Sequence, residues 1–249
     1  MTLMCDNKPG CPALRCAGSR GKSLPTDGQG NMAQIFRKSS NSFARAALIG
    51  IVPGFLGFWG VVYAVFRSPY TTGQGIPRGQ EVPFSHQHHV SGLGIDCRYC
   101  HTTVEFSSFA GIPPTETCMS CHSQVWTDAP ILAPVRESMA TGKSLEWNRV
   151  NKVPDFVFFN HGIHVQKGIG CSTCHGRVDQ MPLTWKEHSL YMRWCLDCHE
   201  APEKAVRPKS EVFNMSWQAP PDQLQRGKKL VAEYQIHTEQ LRDCSMCHR

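Results

Sequence analysis

The sequence has 249 residues, of which 41% are hydrophobic and 18% charged, a composition that suits one membrane-associated or globular unit of one to two domains. It excludes intrinsic disorder and the collagen-like and coiled-coil classes. Thirteen cysteines and twelve histidines in a chain of this length indicate a metal or cofactor rather than a disulfide scaffold. The net charge of +6 by itself also allows an anionic partner, such as lipid or nucleic acid.

The N-terminal residues 1–31 carry no recognisable motif. They contain Cys5, Cys11 and Cys16 among Gly, Pro, Ser and Lys. The stretch from Cys16 to Ser23 lacks the first glycine of a phosphate-binding loop, and no apolar run precedes Cys5 to suggest lipid attachment. We interpret 1–31 as a flexible cytoplasmic tail or as residues upstream of a start at Met32, and 32–45 as a cytoplasmic juxtamembrane segment.

Residues 46–66 form an uncharged stretch of 21 positions flanked by Arg45 and Arg67. At about 1.5 Å per residue, a helix of this length crosses a hydrocarbon core of roughly 30 Å. The alternative is a cleaved signal peptide, since 62–64 weakly resembles a cleavage site. The length favours a retained transmembrane anchor. The flanking charges barely orient it.

The motif C-x-x-C-H occurs five times and contains every cysteine after residue 90. Two thiols three positions apart can add to the two vinyl groups of a haem, and the histidine that follows can bind the iron. Paired zinc knuckles are the alternative, but they do not require a histidine after every second cysteine. We therefore predict five covalent c-type haems, held by Cys97, Cys100 and His101; Cys118, Cys121 and His122; Cys171, Cys174 and His175; Cys195, Cys198 and His199; and Cys244, Cys247 and His248.

Seven histidines remain for the distal side of the irons. Four of them occur in two copies of F-x-H-x-x-H, as His86 with His89 and His161 with His164. Histidines three apart on a helix cannot bind opposite sides of one iron, so each pair should serve two haems. The alternative is that one of each pair is a polar surface histidine. For His88, His188 and His237 we favour a role other than ligation.

The two histidine pairs also mark an internal duplication. The offset between copies is about 75 residues for the histidines and for the two haem motifs that follow. We predict one extracytoplasmic domain, 67–249, built from two-haem modules at 84–158 and 159–220 and a fifth haem at 221–249. Its fold class is a multihaem cytochrome c, with short helices and long loops wrapped around the haems. The helical pattern is clearest from Pro221 to Leu241.

One distal position is left for a residue other than these four histidines. Met192 lies three residues before Cys195, and methionine is the next candidate ligand; its alternative role is packing against a haem face. A thioether raises the haem potential relative to a second histidine, so electrons would run downhill toward that centre. Ten haem propionates would offset the basic chain, so nucleic-acid binding is not expected.

Three stretches carry a resemblance to a known family: PFSHQHHVSGLGIDCRYCHTTVEFSSFAGIPPTETCMSCHSQVW, FNHGIHVQKGIGCSTCHGRVDQMPLTW and SLYMRWCLDCHE. From about Met32 to Arg249 the chain resembles the pentahaem c-type subunit of alternative complex III, a quinol-oxidising assembly of bacterial membranes. The resemblance implies four bis-histidine haems and one histidine–methionine haem, matching His86, His89, His161, His164 and Met192. It also implies as partners an iron–sulfur subunit related to molybdopterin oxidoreductases, polytopic quinol-binding subunits and a monohaem cytochrome c.

The function that these observations favour is electron transfer without chemistry of the chain's own, toward an acceptor such as a cytochrome c or a copper protein. A pentahaem reductase of a small oxyanion would need one iron with an open site, and a free-standing quinol dehydrogenase would need a quinol site beside a single helix. Because bacterial c-type attachment takes place outside the cytoplasmic membrane, we expect a single-pass inner-membrane protein with a cytoplasmic N-terminus and a periplasmic haem domain.

Overall fold

The computed structural model describes residues 36–37 and 39–248. The interpretation of residues 1–31, with their three cysteines, lies outside the described residues. The chain consists of two compact units that meet between Gly57 and Phe58, and most of the described structure belongs to the second unit.

The predicted anchor is a helix, α1 (Ser39–Arg67). It begins seven residues before the predicted stretch and ends one residue after it. None of its residues is buried, and the apolar side chains are exposed. Among the described residues it is the one helix long and apolar enough to cross a membrane, a test that a signal sequence near an N-terminus also passes. A single turn, α2 (Pro69–Thr72), follows and ends at Gly73, whose φ of 67° requires a residue without a side chain.

The rest of the described chain consists of short helices joined by long loops, as the sequence predicts. These described residues contain four isolated β-bridges and no β-strand. A π-helix covers Gln87–Gly92. The remaining α-helices are α3 (Cys97–Cys100), α4 (Thr115–His122), α5 (Ala133–Thr141), α6 (His161–Gln166), α7 (Cys171–His175), α8 (Met192–His199), α9 (Gln223–Glu233) and α10 (Cys244–Cys247).

Helix α9 is shorter than its sequence pattern predicts. It ends at Glu233, and Gln235 has a φ of 52°, which a continuing helix does not allow. Lys167 donates to the carbonyl oxygens of Tyr234 at 2.6 Å and Gln235 at 3.4 Å. The ammonium group of Lys167 therefore binds the carbonyl groups that follow the helix. The apolar residues after Glu233 that the sequence pattern places in the helix lie outside it.

The described protein interior has only two small clusters of buried hydrophobic side chains. The first contains Val82, Leu132 and Val135. The second contains Val104, Val165 and Val212, which come from three distant parts of the sequence. Residues far apart in sequence thus meet beside the C-x-x-C-H motifs, and Cys118 and Cys171 pack against the clusters.

Candidate haem sites

Each C-x-x-C-H motif lies on a short helix, which brings its two thiols to one side of a single turn. In α3 the carboxylate of Asp96 caps the helix by accepting from the backbone N–H of Arg98 at 2.8 Å. The ten cysteines of the motifs are free of disulfides. Within the described chain, no three side chains of the metal-binding types His, Cys, Asp and Glu converge on one point, as zinc knuckles would require.

The second histidine motif forms helix α6. Its cap is Asn160, whose side chain accepts from the backbone N–H of Ile163 at 3.2 Å. The carbonyl of Asn160 accepts from Nδ1 of His164 at 2.7 Å, and Phe159 packs on the same ring with centroids 4.6 Å apart. The orientation of the His164 ring is therefore fixed from both sides.

The first histidine motif forms a π-helix rather than an α-helix, yet its contacts are the same. Nδ1 of His89 donates to the carbonyl of Ser85 at 2.8 Å, and Phe84 stacks on the ring at 4.4 Å. The π-helical backbone includes the bond from the N–H of Leu93 to the carbonyl of His88, five residues back. A π-turn is rare and often occurs at functional sites. The second histidine of each copy, His89 or His164, thus has equivalent contacts on different backbones.

Three of the four distal histidines face the histidine of a C-x-x-C-H motif. The ring centroids of His164 and His199 are 6.1 Å apart, with 23° between the ring planes. Those of His161 and His175 are 6.4 Å apart at 30°. Those of His89 and His122 are 6.2 Å apart at 68°. If two imidazoles bound one iron from opposite sides, each iron–nitrogen bond would be about 2.0 Å long and each ring centre would lie about 1.1 Å beyond its nitrogen. The two ring centroids would then be about 6.2 Å apart, which matches the three pairs.

For His86, the fourth predicted distal ligand, the order seen in the second repeat gives the expected partner. In the second repeat the first histidine, His161, faces the first motif. The equivalent pair in the first repeat is His86 and His101. Burial, followed by the positive charges of His101 and then His89, lowers the pKa of His86 to about 4. His86 also contacts the hydroxyl of Thr184 through Nδ1 at 2.9 Å.

One feature separates the predicted ligands from the other histidines. All nine have Nδ1 in a hydrogen bond to the protein, which leaves Nε2 for an iron. His88, His188 and His237 have no such bond in the described structure, although His88 and His188 stack on Trp126 and Trp194. The partners are Thr184 for His86, Ser85 for His89, Gly111 for His101, Val125 for His122, Val104 for His161, Asn160 for His164, Asn151 for His175, Leu241 for His199 and Phe156 for His248.

Burial keeps several of these rings neutral, as ligation requires. The pKa of His175 is lowered to about 4, first by burial and then by the charge of His161 on the facing ring. Burial also lowers the pKa of His161 and His164, partly opposed by their backbone hydrogen bonds. Burial likewise raises the pKa of the free thiols of Cys171 and Cys174, to about 11 and about 12.

Met192 and His248 remain without a facing histidine. Met192 is the first residue of α8, and its side chain is exposed. The residue before it, Tyr191, donates to the carbonyl of Phe66, next to the end of α1, at 3.4 Å. The segment that precedes Tyr191 pairs with the chain after α1 through the bridge between Pro77 and Trp185. The structure thus places Met192 beside the C-terminal end of the apolar helix.

Sequence reasoning missed the residues that orient the rings. Thr184 and Asn151 use side chains, and the amide nitrogen Nδ2 of Asn151 lies 3.1 Å from Nδ1 of His175. Iron binding at Nε2 of His175 would place the proton on Nδ1 and would require the Asn151 amide to turn its oxygen toward the ring. The other acceptors are backbone carbonyls, which any residue supplies. No sequence pattern marks them.

Comparison with known proteins agrees with this site. The family model described as cytochrome c3 matches residues 163–249, which include the last three C-x-x-C-H motifs. The chain is also similar to a protein of Nitratidesulfovibrio vulgaris (Hildenborough) described as "Menaquinone reductase, multiheme cytochrome c subunit", with 33% identity over 141 residues. The match covers 56% of this chain and 62% of that relative's length.

Together with the repeated motifs, these similarities indicate the class of protein that the chain resembles. They support covalently bound haem c and electron transport of the multihaem cytochrome c type. Among the described residues, one apolar helix has membrane-spanning length, and the similarity to a quinone reductase subunit accords with a membrane association.

Proposed function

We propose that the protein holds five haems and that four of them have two axial histidines. The proposed pairs are His86 with His101, His89 with His122, His161 with His175 and His164 with His199. The observation that carries this proposal is three pairs of opposed rings 6.1–6.4 Å apart whose Nδ1 atoms are already bonded to the protein. The fourth pair, His86 with His101, follows from the repeat and from the effect of His101 on the pKa of His86. We propose Met192 and His248 as the fifth pair because they are the two ligands that remain; the resemblance to the pentahaem subunit supports Met192 as a ligand but does not assign it to a haem.

The same pairing favours electron transfer over substrate chemistry. Bound haem would supply a one-electron couple at each site. The histidines of α6 are three residues apart and face two different motifs, so one short helix ties two redox centres together. A reductase of a small oxyanion needs an iron with an open position, and the available ligands close every one. We therefore propose that the chain is an electron-transfer subunit that does not catalyse a reaction alone.

The proposed place of the protein is the bacterial cytoplasmic membrane. Helix α1 would be a single-pass anchor with a cytoplasmic N-terminus, and 67–249 would form the periplasmic haem domain. The chemistry of c-type attachment outside the membrane is the argument for this orientation. The bond between Tyr191 and Phe66 supports a position of the Met192 centre near the membrane surface.

The proposed partner is a quinone-reacting membrane complex, and two directions of electron flow compete. The sequence resemblance to alternative complex III favours quinol oxidation, with iron–sulfur, polytopic and monohaem cytochrome subunits. The Nitratidesulfovibrio relative is described as a menaquinone reductase subunit, which favours electron delivery to a quinone. The electron-transfer role is common to both directions.

The test is purification of the native complex in mild detergent. Mass spectrometry should identify co-eluting membrane subunits, and a co-eluting monohaem cytochrome c would favour quinol oxidation. The oxidised complex is then mixed with a menaquinol analogue, and the reduced complex with the corresponding quinone. Haem reduction by the quinol at a higher rate than haem oxidation by the quinone would support the first direction. A protein that elutes alone and exchanges electrons with neither would contradict the proposal.

A further inference from the structure

Arg207 is a buried cation beside the third C-x-x-C-H motif. Its exposed fraction is 3%, and its Nε atom has no hydrogen-bond partner in the described protein. No carboxylate of the described chain lies within ion-pair distance of it. Glu211, which interacts with it electrostatically, accepts from the side-chain amide of Asn214 at 2.6 Å. A buried charge that the protein itself does not pair is costly, so its retention calls for a role.

The guanidinium binds the motif itself. It donates to the hydroxyl of Thr173 at 2.8 Å and to that of Ser172 at 3.3 Å, the two residues between Cys171 and Cys174. The other face of the guanidinium lies 4.1 Å from the ring centroid of Trp217. A side chain on Gly170 would overlap the guanidinium, which explains the glycine before Cys171.

The equivalent motif in the first repeat has a different charge. There Asp96 precedes Cys97 and forms an exposed ion pair with Arg98 at 2.9 Å, so the two charges compensate each other. At the third motif Gly170 occupies the place of the carboxylate, and Arg207 forms no ion pair with the described protein. The two repeats therefore differ in the electrostatics of their first C-x-x-C-H motif.

We propose that Arg207 is a positioning and potential-setting residue for the redox centre at Cys171–His175. The inference rests on the proposed function, because it requires a haem at that motif. A fixed positive charge disfavours the ferric state, which carries one more positive charge than the ferrous state. It therefore raises the reduction potential of that centre above that of its counterpart in the first repeat. Because the side chain is buried by protein, it acts through its field and through the motif's hydroxyls rather than by binding iron.

The test compares four variants of the full-length holoprotein in redox titrations. Arg207→Gln removes the charge, and Ser172→Asp gives the arginine a counter-ion without removing it. A unit charge roughly 10 Å from a redox centre, at an effective dielectric constant of about 20, changes the equilibrium constant roughly tenfold. Both variants should lower one component by about this factor, which is about 59 mV for one electron. Arg207→Lys, which keeps the charge, and Arg226→Gln, which removes an exposed arginine paired with Asp222, should leave the potentials unchanged.

Intact mass is measured first on each variant. A wild-type protein without haem at the third motif would refute the proposed function itself. With all haems present, unchanged potentials in Arg207→Gln would overturn the inference. Equal shifts of the reduction potential in Arg207→Gln and Arg207→Lys would show that the residue acts through packing and not through its charge. If Arg207→Gln does not accumulate, Arg207→Met, which removes the charge and leaves an apolar side chain in the buried site, decides between a lowered and an unchanged potential.

Discussion

Replacing His161 and His164 separately and together tests whether one helix serves two irons. In the structure the two rings face different partners, His175 at 6.4 Å and His199 at 6.1 Å between centroids. Each single alanine variant should therefore leave one iron of five with an open position, so that about one fifth of the haem becomes high-spin and binds carbon monoxide. The double variant should open about two fifths.

The substitutions should not prevent folding. His164→Ala removes the hydrogen bond to the Asn160 carbonyl and the contact with Phe159, and the bond is worth about 1 kcal/mol. His161→Ala removes a longer bond of 3.3 Å to the Val104 carbonyl. Added imidazole should fill the opened position and restore the low-spin spectrum, which separates the loss of a ligand from the loss of structure.

The assay is the carbon monoxide difference spectrum of the reduced protein, quantified against total haem. His88→Ala is the control, because His88 is exposed and its Nδ1 lacks a hydrogen bond in the described structure. The reasoning is refuted if the double variant opens no more haem than either single variant, since the two histidines would then serve one iron. A carbon monoxide response in the unmodified protein equal to that of the variants would also refute it.

Three further predictions concern the other sites. The denatured holoprotein should have an intact mass about 3 kDa above that of the polypeptide, for five haems of about 0.6 kDa each, and a mass that fits four or fewer would contradict the five sites. Met192→His should lower one potential by an amount on the order of 100 mV while the iron stays six-coordinate; redox titration with five unchanged potentials would make Met192 a packing residue. Asn151→Leu should remove the side-chain amide that can accept from Nδ1 of His175 and so make that imidazole less basic. One potential should then rise by about 30 mV, a roughly threefold change in the equilibrium constant. A lowered potential in the same titration would show that the amide does not accept from the ring.

The haem-attachment residues could be predicted from sequence because attachment is local. Two thiols and a histidine within five consecutive positions, as in Cys171–His175, contain all the chemistry that one motif needs. The four distal histidines could be predicted because their spacing is repeated and because helical periodicity separates His161 from His164 by one turn. The anchor could also be predicted, since its hydropathy is a sum over consecutive residues, although the start of α1 at Ser39 could not.

Features that depend on contacts between distant segments could not be predicted. The helical pattern from Pro221 to Leu241 continues past Glu233, yet Lys167 takes the carbonyls at the end of α9 and the helix stops there. The first histidine motif is a π-helix, although its sequence pattern matches that of the α-helical copy. In both cases the segment is bonded to residues remote in sequence, as Ser91 of the π-helix is to the carbonyl of Asp179, and these tertiary contacts override a periodicity that the sequence shows clearly.

The sequence by itself thus determined where the five C-x-x-C-H motifs and the two histidine pairs lie and where the long apolar helix lies. Only the tertiary structure decided which histidine faces which, because a ring such as His161 meets His175 through space rather than through spacing. It also decided which histidines have Nδ1 anchored, since the acceptors are mostly backbone carbonyls, and it brought Arg207 against Ser172 and Thr173 from 34 or 35 residues away. The physical reason is that ligation chemistry depends on residue type, whereas pairing, ring orientation and electrostatic environment depend on the packing of segments that are remote in sequence.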